Sequence, residues 1–191
     1  MKNHFYAMLS RMKNIYRWGL MRNSKTENLS EHSLETAYVA HALAIIKNKR
    51  FGGNVNPEKA AVAAMFHDTS EIITGDMPTP VKYYNSQIKN VYKEIEVCAQ
   101  NTLISMLPDY MQEDINKIYN CDDDEICRIV KAADKISAYI KCVEELNMGN
   151  HEFAVAEKSV KKAIKELNLP EADVFMEEFM PSFSLSLDEQ K

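Results

Sequence analysis

Glycine and proline are scarce in this chain, five and six among 191 residues, so frequent breaks in regular structure are not expected. Apolar residues recur at spacings of three and four rather than two, and no stretch reads convincingly as a strand. Cysteine is limited to Cys98, Cys121, Cys127 and Cys142, with no C-x-x-C pair and no histidine-rich companion, which leaves neither a zinc ribbon nor a redox motif. These thiols are expected to be reduced and mostly buried as small hydrophobes. No uncharged run approaches the roughly 18 to 20 residues that a membrane span requires. The opening MKNHFYAMLSRMKN interrupts every apolar stretch with charged or amide residues, so no secretory leader is expected and the protein should be soluble and cytoplasmic. Positive charge is not in excess: 23 Lys and Arg face 28 Asp and Glu, a net charge of -5, which argues against a nucleic-acid polymer as partner and leaves small substrates open. With 46% hydrophobic residues the chain can bury one core, and a single all-α domain over 1–191, with a weakly specified tail from about 181, is the expectation.

Phe5, Met8, Leu9, Met12, Ile15 and Tyr16 form one apolar stripe, predicting a first helix that Gly19 stops, with Arg17 and Trp18 at its C-terminal edge. A polar loop over 22–29 leads to Ser30, a predicted N-cap, and a helix with Leu34, Ala37, Tyr38, His41, Ala44 and Ile45 on one face. His32 falls in its first turn. After a break at Phe51-Gly52-Gly53-Asn54, Asn56-Pro57-Glu58 reads as a cap, a first-position proline and an early acidic residue. The helix that follows, AAVAAMFHDTSEII, is apolar nearly all round and so expected to be buried on most sides, with Gly75 ending it and Asp76-Met77-Pro78-Thr79-Pro80 forming an irregular loop. Later helices are predicted over about 86–106, 122–147 and 152–167.

In that buried helix a histidine and two carboxylates cost free energy unless something pairs with them. Glu71 lies four residues after His67 and three after Asp68, on their face. An isolated His-Asp dipeptide is more often a satisfied structural contact, but here His32 opens an earlier helix and Asp134 lies beside the stripe of Ile126, Val130, Ala133 and Ser137 on a later one. Two imidazoles and two carboxylates from three helices suit a borderline divalent ion such as manganese, cobalt, iron, nickel or zinc, with positions left for water and substrate oxygens. Glu71 is the first candidate to align a water, and Asp76 the second.

The order His32, His67-Asp68, Asp134 resembles the H…HD…D signature of the HD-domain metal-dependent phosphohydrolases, which implies a helical HD-domain bundle. RWGLMRN at 17–23, TENLSEHSLETAYVAHALA at 26–44, HDTSEIITGDMPTPVKYYNSQI at 67–88 and the ending PSFSLSLDE are similar to the bacterial YfbR-type 5'-deoxynucleotidases, with Thr69 standing where a smaller residue is expected. The resemblance implies metal ligation by His32, His67, Asp68 and Asp134. It implies that Arg17 orients the phosphate, that Trp18 lines the sugar side, that Asp76, Met77, Pro78 and Thr79 contact the nucleotide, and that Glu71 and Asp76 assist the attacking water. It further implies deoxyribonucleoside 5'-monophosphates as substrates, one divalent cation with cobalt favoured, and a homodimer. A guanidinium fork can hold a phosphate, and an indole can wall off a 2'-hydroxyl, in agreement with those roles.

The remaining histidines do not extend the set. His41 is expected in the core, roughly half a turn from His32, and His4 and His151 on the surface, so one metal is expected rather than two. The run Asp122-Asp123-Asp124-Glu125 reads as helix capping. An HD hydrolase for a cyclic nucleotide, a triphosphate or an alarmone is the enzyme alternative, weakened for the last two because Arg17, Arg22 and Lys82 are the only conspicuous basic residues in the matched segments. A non-catalytic nucleotide-binding module is the other, but it would be expected to have lost Glu71, Asp76 or a ligand.

Overall fold

The computed structural model of the chain describes residues 3–82, 84–121 and 123–191, without the side chain of Thr79. In chain order the helices are α1 (Phe5–Leu9), α2 (Leu29–Phe51), α3 (Pro57–Phe66), α4 (Glu71–Thr74), α5 (Thr79–Lys82), α6 (Ser86–Ile104), α7 (Asp109–Asn120), α8 (Asp124–Asn147), α9 (Ala154–Glu166) and α10 (Pro170–Glu178). Among the described residues there is no strand, only an isolated bridge between Tyr16 and Asn28.

The expected first helix is cut short. α1 passes into a 3₁₀ turn over Ser10–Asn14 and ends there. Ile15 and Arg17 then bond along the residues before α2: the Arg17 N–H donates to the Glu27 carbonyl at 2.9 Å and the Leu29 N–H to the Ile15 carbonyl at 3.0 Å. These longer-range bonds outcompete continuation of the stripe and carry Arg17 and Trp18 into a loop. Asn28, not Ser30, caps α2: its side chain accepts from the Ser30 and Glu31 N–H groups, and the Glu31 carboxylate returns to the Asn28 N–H, a closed capping box. The buried face of α2 is also rotated from the expected one. His32, Thr36, Ala37, Ala40, Leu43 and Ala44 point inward, where small residues let α3 and α8 approach, while Leu34, Tyr38 and Ile45 are exposed and His41 is only half-buried. His4 and His151 are exposed, as expected.

Asn56 caps α3 with Pro57 at the first position, as the sequence predicts. The helix does not run on to Ile73. His67 Nδ1 donates to the Ala64 carbonyl at 2.7 Å and the Thr69 hydroxyl bonds to the Phe66 carbonyl at 2.8 Å. Side chains thereby occupy carbonyls that continuing helix would use, and 67–70 becomes a tight turn before α4. Nor is α3 buried on most sides: Ala60 and Ala64 are buried, but Val62 and Met65 are exposed. The loop after Gly75 is shorter than expected, because Pro80 sits in the first turn of α5, where no N–H donor is needed. α7 and α10 are additions to the predicted helices. The acidic run does cap α8, through Asp123, whereas Asp122 lies outside the described residues.

The cysteines also depart from expectation. Cys121, just past α7, takes φ +43° and meets Cys127 of α8 in a disulfide, with Cα atoms 6.0 Å apart. The chain reversal there brings together two residues whose spacing announces no motif. Cys98 is exposed, and Cys142 alone is a free buried thiol.

Two apolar clusters form. One joins α2, α3, α8 and α10 through Leu43, Ala64, Ile129, Ile136 and Phe175; the other joins α1, α6 and α7 through Phe5, Leu103 and Ile115. Ala64 belongs to the first and Phe66 packs on the second, so the 67–70 turn lies where the chain crosses between them. The 15–29 loop is pinned to α8 by a buried pair. Glu145 accepts from the Ser24 N–H (2.8 Å), the Lys25 N–H (3.2 Å), Asn150 and Lys141, and Lys141 also donates to the Lys25 carbonyl.

Burial works to raise the Glu145 carboxyl, but these donors outweigh it and hold it at about 2. A carboxyl lowered by folding stabilises the protein above its unfolded pKa of about 4.3, and loses that contribution as pH falls from there through about 2. Glu145→Ala leaves Lys141 buried without its carboxylate and is expected to cost about 3–5 kcal/mol, read as a lowered urea midpoint at pH 7, with the difference from the parent shrinking below pH 4.

Candidate active site

His32 is fully buried on α2, four residues into the helix, and its ring lies 5.2 Å from that of His67. His32 Nε2 stands 3.2 Å from Asp134 Oδ1 and 3.5 Å from Asp68 Oδ2, and His67 Nε2 stands 3.1 Å from Asp68 Oδ2 and 3.9 Å from Asp134 Oδ1. One ligand atom from each of the four residues fits within 4.8 Å of all the others. The structure thus brings together the whole set predicted from sequence, with His67 and Asp68 on a turn rather than a helix. Asp134, its side chain about one-third exposed, marks the side open to solvent.

The donor chemistry fits a cation. His67 Nδ1 is committed to the Ala64 carbonyl, which can only accept, so the proton sits on Nδ1 and Nε2 faces the cluster. His32 reaches the same state through a relay: the Ser137 hydroxyl donates to Glu35 at 2.6 Å, and so accepts from His32 Nδ1 at 3.0 Å. Both Nε2 atoms are buried without a hydrogen-bond partner. Burial works to lower the His67 pKa, but Asp68 and Asp134 carry it well above its ordinary value. The two carboxyls are held well below theirs by the imidazoles, against the effect of burial. A proton and a metal ion would therefore compete for one nitrogen between the same carboxylates.

Around this centre, Arg17 donates from Nε to Glu27 at 3.0 Å and from Nη1 to Asp68 at 3.3 Å. Trp18 follows at φ +60° with its indole N–H on the same Glu27 oxygen, 3.1 Å away. Glu71 is buried with Oε2 unpartnered, and burial, then Asp68 and Asp76, push its carboxyl up to about 9 against the pull of Lys82 and Arg17. Asp76 is half-buried beyond Gly75; burial raises its carboxyl, while Arg17 and the Trp18 N–H lower it. Met77 and Pro78 follow half-buried, and the predicted Thr79 side-chain contact lies outside the described residues. A cavity of about 300 Å³ opens beside His67 and Asp134, walled by Phe66, Tyr119 and Val130. Thr69 is buried and does not line this cavity, but its hydroxyl lies 2.8 Å from that of Tyr119, which does. A larger hollow near Arg22 and Met148 includes none of these groups.

Sequence reading missed Glu27, Glu35 and the role of Ser137. Ser137 stands in the stripe beside Asp134, where a hydroxyl among aliphatic residues was the available signal. Glu27 and Glu35 look like ordinary solvated carboxylates.

A model of the YfbR-like 5'-deoxynucleotidases matches residues 4–183. A 5'-deoxynucleotidase of Vibrio vulnificus is 56% identical over 98% of both chains, and one of Vibrio cholerae is 52% identical over 98% of both. Among solved structures, an HD-domain phosphohydrolase of Listeria innocua superposes with a TM-score of 0.83 at 23% identity, covering 98% of this chain and 91% of its own. The cyanophage S-2L HD phosphohydrolase, solved with dA and one catalytic Zn²⁺, superposes at 0.66 and 19% identity over 92% and 96%. These two show that the helical fold is the HD-domain fold.

The relay to His32 carries a prediction. Ser137→Ala frees the His32 ring to turn or change tautomer, and is expected to weaken divalent-metal binding about 10- to 100-fold with unchanged helical circular dichroism. Calorimetric titration of chelated protein checks it, and parental affinity would show the relay to be idle.

Proposed function

The chain belongs to the YfbR-like 5'-deoxynucleotidase family, and on that premise we propose that the His32, His67, Asp68 and Asp134 centre binds one divalent cation and converts deoxyribonucleoside 5'-monophosphates to deoxyribonucleosides and phosphate. The observation that carries the reading is the pair of buried, unpartnered Nε2 atoms facing two carboxylates within 4.8 Å. When bound, the cation supplies charge that polarises a phosphoryl oxygen, acidifies water and favours the ionised form of Glu71.

The chain's own groups do the rest. Arg17, held by Glu27 and Asp68 at Nε and Nη1, presents its remaining N–H groups to the phosphate. Glu71 takes the proton of the attacking water, and Asp76, half-buried beyond Gly75, is the second carboxylate at hand. As the water oxygen bonds to phosphorus, the ester bond to O5' breaks, and O5' leaves with the proton that the water gave up to the carboxylate. Trp18 faces the sugar, and Asp76, Met77, Pro78 and Thr79 line the nucleotide's path.

Cobalt is the favoured ion, with manganese, nickel, zinc and iron as further fits to the N/O set. A homodimer is proposed as well, for which exposed Leu34, Tyr38 and Ile45 on α2 offer an apolar face. A cytoplasmic location accords with the lack of any helix, among the described residues, long and apolar enough to cross a membrane. A triphosphate or alarmone substrate is disfavoured because the cations near the centre are few: Arg22 pairs with Glu152 and Lys82 with Glu96, while Arg17 adjoins Asp68 and Lys131 lines the cavity beside His67 and Asp134.

Phosphate release from common nucleotides, using chelated protein restored with each metal in turn, tests the reading. Deoxyribonucleoside monophosphates should be hydrolysed fastest, with cobalt giving the highest rate, and preference for ribonucleotides or triphosphates would overturn it. Glu71→Ala is expected to lower kcat about 10²- to 10⁴-fold while metal content and substrate affinity persist. Near-parental turnover would transfer the role to Asp76.

A further inference from the structure

We infer that Glu27 is the positioning residue for sugar selectivity, fixing the Trp18 indole and the Arg17 guanidinium relative to each other through one carboxylate oxygen. The inference rests on the reading above, in which Trp18 faces the sugar and Arg17 the phosphate.

Glu27 Oε2 accepts from both Arg17 Nε, at 3.0 Å, and Trp18 Nε1, at 3.1 Å. Both bonds run to one charged acceptor, in a residue only 9% exposed, where such bonds are stronger than neutral ones. The main chain closes the same grip, since the Arg17 N–H donates to the Glu27 carbonyl at 2.9 Å and Tyr16 bridges Asn28. Glu27 thus holds Arg17 at side chain and backbone, and Trp18 at the ring.

Trp18 needs to be held. A bulky residue at φ +60° sits in the left-handed region, which persists only where the surroundings over-determine it. Its other supports are the Phe153 ring, 5.3 Å away and tilted by 56°, and bonds to its carbonyl from the Met21 N–H at 2.9 Å and Asn23 at 3.3 Å. The carbonyl bonds fix the backbone, and Phe153 offers a sliding apolar contact. Among the described residues the bond to Glu27 is the one hydrogen bond the ring makes, and it restrains rotation about the side-chain torsions. It also occupies the single hydrogen-bond donor of the indole, so the ring meets a sugar as an apolar wall with no N–H to offer a 2'-hydroxyl. A wall discriminates against an extra hydroxyl only if it cannot give way, and the same oxygen sets its distance from the guanidinium that holds the phosphate.

The test is the ratio of kcat/KM for a deoxyribonucleoside monophosphate to that for its ribo counterpart, measured on the metal-loaded enzyme. Glu27→Ala is expected to narrow the ratio about tenfold or more. Glu27→Asp withdraws the carboxylate by one methylene and should narrow it similarly, whereas Glu27→Gln keeps an acceptor oxygen in place and should retain most of it. If the alanine variant does not fold, the Asp and Gln variants carry the comparison. Trp18 is the chain's only tryptophan, so its emission reports on the ring directly: acrylamide quenching should rise in the Ala and Asp variants relative to the parent and stay near the parental level in Glu27→Gln. Trp18→Ala separates the two readings. If it narrows the ratio and Glu27→Ala and Glu27→Asp do not, the inference is overturned and the sugar role of Trp18 stands. If Trp18→Ala leaves the ratio unchanged, the sugar role falls and the inference with it. A loss of activity shared equally by both substrates in the Glu27 variants would mark Glu27 as structural only.

Discussion

An imidazole has one lone pair to give, and its position depends on where the ring's proton is held. In this protein the proton of each site histidine is held on Nδ1, at His67 by the Ala64 carbonyl and at His32 by Ser137 backed by Glu35. The two opposite nitrogens therefore face Asp68 and Asp134. Much of the remaining architecture follows from keeping those four groups together. α2 and α8 must approach closely enough for His32 and Asp134 to meet, and Ala37, Ala40, Ala132 and Ala133, all buried, keep their facing surfaces small. The bond that sets the His67 proton also helps end α3, so one interaction both orients the imidazole and produces the turn bearing its neighbour Asp68.

The surrounding charges divide the labour among the carboxylates. Asp68 and Asp134 are drawn down by the imidazoles, whereas Glu71, buried near Asp68 and Asp76, is pushed up to about 9. Groups of one chemical type are thus separated into two carboxylates that stay ionised and a carboxyl able to carry a proton, a difference set by environment. On the other side, the 15–29 loop would be a weak mount by itself. Its anchors are the Lys141–Glu145 pair at one end and the Asn28 cap of α2 at the other, and Glu27 lies beside that cap.

Much of the centre was legible in the sequence because its residues violate their context: His67 and Asp68 interrupt an alanine-rich apolar run, and His32 and Asp134 stand on inward-facing stretches of other helices. The caps at Asn56 and Asp123 were readable because capping is local. What was not legible depends on distance along the chain. Ser137 meets His32 across 105 residues and Glu35 across 102, and no periodicity encodes such pairings. The stripe from Phe5 to Tyr16 has helical spacing, but the bonds of Ile15 and Arg17 to residues before α2 decide their conformation. α7 was missed because its charges are dense and Ile115 is its one buried residue. On α2 the apolar count favoured the face of Leu34 and Tyr38, whereas packing favoured the alanines, since close approach of helices rewards small side chains.

The central claim is that one cation is held by four side chains from α2, the 67–70 turn and α8. Elemental analysis of the purified parent and of Asp68→Ala, each exchanged against excess cobalt and desalted, tests it most directly. The account predicts about one ion per parent chain and none retained by the variant, with helical circular dichroism the same in both. Full metal content in Asp68→Ala, or a parent that retains no ion, would contradict it.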